Sequence, residues 1–168
     1  MSDVLVVQIT HPDQLKRAIP DLTRMFEDFL RRAREPFSVE HQWAALLRAL
    51  TQEYSLFLVA FGDRMRPVGF AVAQAGFDFF GVGYCNLIQM YAKPGVAGVV
   101  EALYQRVEQW AEKRGVQAIS LLTLRHGRAF QKLGTRHGFA PYAVLYLKLK
   151  ESADGQRETE RTIMNAAS

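Results

Sequence analysis

The chain has 168 residues, one cysteine and a formal net charge of +4, and 49% of its residues are hydrophobic. That composition suits one folded domain with a real core and excludes an internal disulfide framework or a cysteine-rich zinc site. There is no apolar run near the ~20 residues of a membrane-spanning helix and no basic-then-apolar leader, so a reducing, cytoplasmic setting without secretion is the expectation.

Residues 4–9 form a short β-branched run and predict the first strand. Pro12 and Asp13 open a helical turn. Leu22, Met25, Phe26, Phe29, Leu30 and Ala33 recur at helical spacing and predict a helix over 21–34, ended by Pro36. Ser38 is the N-cap of a second helix, in which Trp43, Leu46, Leu47 and Leu50 repeat the spacing. Residues 54–61 and 67–75 read as paired strands around a turn at Gly62 and Asp63, and residues 85–91 as a further strand. Val99, Val100, Leu103, Val107, Trp110 and Ala111 mark a long helix that ends at Gly115. A strand over 118–123, a shorter helix over 125–137 and a last strand over 139–149 complete the order βααββ, then βαβαβ. Hairpins followed by a crossover helix imply an α/β (α+β) fold, with a mixed, mostly antiparallel sheet and helices on both faces. Residues 1–150 form the domain. Residues 151–168 are polar and read as a C-terminal tail ordered by a partner.

The charge is unevenly spread. Residues 101–150 carry 9 basic and 3 acidic side chains, and no acidic residue occurs from Lys113 to Lys150. Such an excess is a statement about partners. Two readings stay open: an anionic ligand, nucleic acid or acidic protein surface, or a solvated face. Arg125, Arg128, Lys132 and Arg136 fall on one side of the shorter helix, with His126, Phe130, Leu133 and His137 on another. No aromatic residue interleaves with these charges, so nucleic-acid stacking is weakly supported. Between two strands lie Phe77, Phe79 and Phe80 in a glycine-rich connection. They are either an exposed patch for a partner or ordinary strand packing.

The stretch CNLIQMYAKPGVAG, then VVEALYQRVEQWAEKRG, VQAISLLT and GFAPYAVLYLKL resembles the GCN5-related N-acetyltransferase (GNAT) superfamily. The matching residues are Tyr91, Pro94, Gly115, Gly138 and Phe139. The resemblance implies that acetyl-CoA lies where the fourth and fifth strands part, its pyrophosphate on N–H groups at the start of the long helix. It also implies acyl transfer to an amine, which needs a base, an oxyanion donor and a proton source for the thiolate.

The residues depart from the family pattern. Its Arg/Gln-x-x-Gly-x-Gly/Ala loop is replaced by Lys93, Pro94, Gly95, Val96, Ala97 and Gly98. Gly95, Ala97 and Gly98 still let backbone approach a phosphate, and Lys93 supplies charge. These residues are therefore read either as a shortened loop for the cofactor or as a plain strand-to-helix turn. Counting four back from Gly138 puts Gly134 where the family often has an acidic tyrosine; Tyr142 and His137 are the stand-ins. The strand at 85–91 holds no Asp, Glu or His; Asn86 and Gln89 only hydrogen-bond. Cys85 reads as a small core residue rather than a nucleophile. These departures favour a catalytically degenerate GNAT fold, a binding or structural module in a larger assembly such as a bacteriophage particle. The alternative is an active acetyl-CoA-dependent N-acyltransferase.

Overall fold

The structure, a computed structural model, describes residues 4–33, 37–77, 81–121 and 135–139. The chain divides into two units, Met1–Leu122 and Thr123–Ser168. The first holds strands β1 (Leu5–Gln8), β2 (Ser55–Phe61), β3 (Pro67–Phe77), β4 (Gly83–Ala92) and β5 (Ala118–Leu121), and helices α1 (Ile19–Ala33), α2 (Val39–Ala49) and α3 (Val99–Lys113). The strands form one sheet in chain order, antiparallel from β1 to β4 and parallel between β4 and β5. This is the mixed, largely antiparallel sheet that the element order implies.

Sequence chemistry places the ends of these elements. Ser38 caps α2, its Oγ accepting from the His41 amide at 3.4 Å. The β2–β3 turn falls where Gly62 and Asp63 predict it, yet its left-handed residues are Arg64 (φ 57°) and Met65 (φ 55°). Two consecutive positive φ values give the mirror-image turn whose twist suits a hairpin. β3 runs two residues further than its sequence pattern indicates, through Phe77.

The two faces of the sheet carry different side chains. Phe57, Val59, Phe70, Val72 and Tyr91 bury against Leu22, Phe26, Phe29 and Leu30 of α1 and Leu46 of α2. Edge-on ring pairs knit this layer: Phe26 lies 4.9 Å from Trp43 and 4.9 Å from Phe70. α2 differs from its predicted face. Leu47 is exposed, while Gln42 is buried; the turn of the helix aims Gln42 at the sheet.

The other face is lined with small residues. Gly69, Ala71 and Ala73 of β3 alternate with Phe70 and Val72. Over them α3 buries Val99, Leu103, Val107 and Ala111. At Gly69 the seat is tightest: a Cβ there would lie 2.5 Å from Val99 Cγ1 and 2.7 Å from the Tyr91 carbonyl oxygen. In the second unit, Thr135 and Arg136 are helical and Gly138 follows at φ 74°, with its N–H on the Thr135 carbonyl. A left-handed glycine is a common way to stop a helix. We expect Gly69→Ala to lower stability by about 1–3 kcal/mol, read as a lower urea midpoint at unchanged slope.

Candidate functional site

The site is built around the second half of β4. Up to Leu87, β4 pairs in register with β3 on one side and β5 on the other. Then the register with β3 slips: Leu87 faces Ala73, Gln89 faces Val72, and Ile88 stands between them. An extra residue of this kind leaves the ladder locally and bends the strand. The described pairing with β5 ends at Leu87↔Leu121, while β4 continues to Ala92. Ile88 is 40% exposed.

After β4 the chain turns sharply. The Val96 amide donates to the Lys93 carbonyl at 3.3 Å. Pro94 sits second and Gly95, at φ 81°, third in this turn, the arrangement of a type II turn. Gly98 (φ 78°) then starts α3 with no side chain capping it. A Cβ at Gly95 or Gly98 would meet nothing within 4 Å. Thus Lys93, Gly95, Ala97 and Gly98 are exposed, with Val96 half-buried, around an uncapped helix start. Such a start presents amides and the positive end of the helix dipole to an anion.

Beside β4 stands an ion-pair cluster. The Tyr91 hydroxyl donates to Asp28 Oδ2 at 2.6 Å. Arg32 Nε reaches the same oxygen at 2.7 Å, and Arg31 Nη2 bonds Oδ1. The Tyr91 hydroxyl, then Arg32 and Arg31, hold the Asp28 carboxyl well below the usual carboxylate range. Burial, then the hydrogen bond to Asp28, pushes Tyr91 up to about 12. Asp28 is therefore a saturated carboxylate, not a base poised near neutrality. Its spacing to Arg31 and Arg32 is visible in the sequence; its bond to Tyr91 is not.

Other candidates fall where the fold puts them. Cys85 is fully buried, and desolvation pushes its thiol up to about 11, so it is a core residue of β4 and not an activated nucleophile. Asn86 accepts from the Ser120 hydroxyl at 3.4 Å. Gln89 pairs with Gln42, which nothing in the sequence pattern singles out. Phe77 ends β3 and is 76% exposed. Arg136 is exposed and His137 half-buried. Arg125, Arg128, Lys132, Tyr142, Phe79, Phe80, Gly134 and the tail from 151 to 168 lie outside the described residues. Among the described residues, no group of three or more His, Cys, Asp or Glu is placed to hold a metal ion, and no helix is long and apolar enough to cross a membrane.

Residues 22–139 match the model of the acetyltransferase (GNAT) family. No curated protein sequence matches the chain. Among solved structures, aminoglycoside 6'-N-acetyltransferase AAC(6')-Ih from Acinetobacter baumannii superposes with a TM-score of 0.71 at 16% identity, covering 89% of this chain and 100% of that one. Aminoglycoside N-acetyltransferase AAC(6')-Iy in complex with CoA gives 0.69 at 16% identity, over 90% and 97%. A GNAT family acetyltransferase from Staphylococcus aureus gives 0.66 at 12%, over 89% and 100%. At these identities the likeness is one of fold.

The Asp28 cluster makes stability depend on pH. A carboxylate depressed in the folded state contributes fully above about pH 5, begins to lose that contribution as pH falls through the ordinary carboxylate range, and goes on losing it down to its own lowered value. We expect Asp28→Asn to lower the melting temperature at pH 7 and to flatten the loss of stability below about pH 5. A thermal-melting series from pH 7 to pH 3 reads the first effect and the onset of the second.

Proposed function

The chain belongs to the acetyltransferase (GNAT) family, and on that premise we propose that it is an acetyl-CoA-dependent N-acyltransferase acting on an amine. The observation that carries this reading is the start of α3: an uncapped helix N-terminus entered through Gly95 and Gly98, both at positive φ and both open to solvent. The architecture is the one shared with solved acetyltransferases, one of them in complex with CoA. When bound, acetyl-CoA supplies the acyl group as a thioester.

The chain's own residues fit that ligand in two places. The backbone from Gly98 into the first turn of α3 suits the pyrophosphate, with Lys93 adding positive charge nearby. The bulge at Ile88 takes one residue of β4 out of the ladder, which frees backbone to donate toward a developing oxyanion. The shorter connection does not oppose this reading, because a type II turn and a left-handed Gly98 reach the helix start within residues 93–98. For proton transfer, β4 offers no carboxylate or imidazole, and Asp28 is saturated. Tyr142 and His137 remain the candidates for the acid. In the sequence, Arg125, Arg128, Lys132 and Arg136 supply the excess positive charge that an anionic ligand, a nucleic acid or an acidic partner would meet.

One observation favours a second reading, a fold kept as a binding or assembly module: the exposed Phe77 at the end of β3. A large exposed aromatic residue suits a partner surface.

The test is thermal melting with and without acetyl-CoA. Ligand at about a hundredfold its Kd adds about 2.7 kcal/mol, a shift of about 5–10 °C for a chain of this size. No shift at millimolar acetyl-CoA overturns the enzyme reading and leaves the module. We further expect Gly98→Glu to abolish the shift, by placing a carboxylate at the helix start. Gly98→Asn should keep most of it, because asparagine tolerates positive φ.

A further inference from the structure

Gln42 is the buried polar residue of the described chain, 6% exposed on the inner side of α2. Burying an amide is unfavourable unless its donors and acceptors are met. Here one partner meets one N–H and the carbonyl oxygen. Gln42 Nε2 donates to Gln89 Oε1 at 2.5 Å, and Gln89 Nε2 donates back to Gln42 Oε1 at 2.9 Å. The two amides close a ring between α2 and β4, across 47 residues of chain. Gln89 is the first residue of β4 to regain its β3 partner after Ile88.

This arrangement does more than fill space. Two apolar side chains of similar size would bury as well and would need no mutual orientation. Two reciprocal amide bonds instead hold the Gln89 side chain in one direction, and its backbone with it. The residue so held adjoins the bulge. Gln42 itself is too buried to touch a ligand, so any effect it has passes through Gln89.

We propose that Gln42 is a positioning residue for the acyl group: its clasp on Gln89 sets the orientation of the β4 backbone at 88–89 that receives the acyl carbonyl. This rests on the acetyl-CoA reading above. A helix packed over a strand needs no such clasp for stability alone, and Leu46 already supplies α2 with a buried apolar contact.

The test compares the binding of CoA and acetyl-CoA by calorimetry, using the full chain. Only acetyl-CoA carries the group that meets residues 88–89. Gln42→Leu and the double variant Gln42→Leu/Gln89→Leu should bind acetyl-CoA about tenfold more weakly, with CoA changed by less than about twofold. The double variant guards against misfolding, since it leaves no unpaired amide and should melt within a few degrees of the parent. Parallel losses for both ligands, or no loss for either, overturn the clasp. A parent chain that binds neither ligand overturns the acetyl-CoA reading itself, and the clasp with it. A parent that binds both, beside variants with parallel losses, removes only the clasp.

Discussion

Two adjacent residues of β3 set the spacing of the whole first unit. Gly69 faces α3 and Phe70 faces α1. On the glycine side there is no room for even one more carbon, with Val99 and the Tyr91 carbonyl already at contact. On the other side Phe70 meets Phe26 and Phe29 edge-on and stacks on Tyr91 at 5.7 Å. Small against large across one strand brings α3 close and holds α1 at ring distance. Close packing makes both distances hard to change. Moving either helix requires repacking the other face through the same two residues.

That constraint reaches the candidate site directly. Val99 is the first residue of α3, and it is also the side chain that Gly69 admits. The helix start is thereby pinned over β3, while Gly98 just before it stays open to solvent. Tyr91, the ring stacked on Phe70, carries the hydroxyl that Asp28 accepts. The aromatic layer therefore also anchors the end of β4, one residue before Ala92 and two before the type II turn at 93–96. The packing of Val99 on Gly69 fixes where the helix dipole begins.

Much of this was legible in the sequence because it follows from periodicity and local chemistry. The apolar spacing of Leu22, Phe26, Phe29 and Leu30 predicts the buried face of α1. Ser38 announces its own cap, and Pro94 and Gly95 announce a turn. What the sequence does not display is pairing between distant residues. Gln42 breaks the apolar pattern of α2, so helical spacing assigns its place to Leu47. Its partner lies 47 residues away on a strand whose register depends on a bulge. Tyr91 and Asp28 are likewise joined only by the fold. The turn after β2 shows the same limit: Gly62 and Asp63 mark its place, but the positive φ that hairpin twist demands falls on Arg64 and Met65.

The chemistry chosen for the neighbourhood of β4 is consistent with an anionic ligand. The helix start offers partial positive charge, and Lys93 adds a full one. Glu101 stands in the first turn of the same helix, where a carboxylate is favoured by the helix dipole. Asp28, which packs beside β4, is neutralised by two arginines and a tyrosine hydroxyl. Where α2 must be tied to β4, the tie is made with two neutral amides. An ion pair could have held the same distance, but it would have needed desolvation of both charges and would have added a local field at the bulge. Neutral amides fix direction without that field, and they do so independently of pH. On the proposed reading, charge lies at the helix start and geometry at the bulge, so that holding the ligand and aiming its reactive end fall to different parts of the fold.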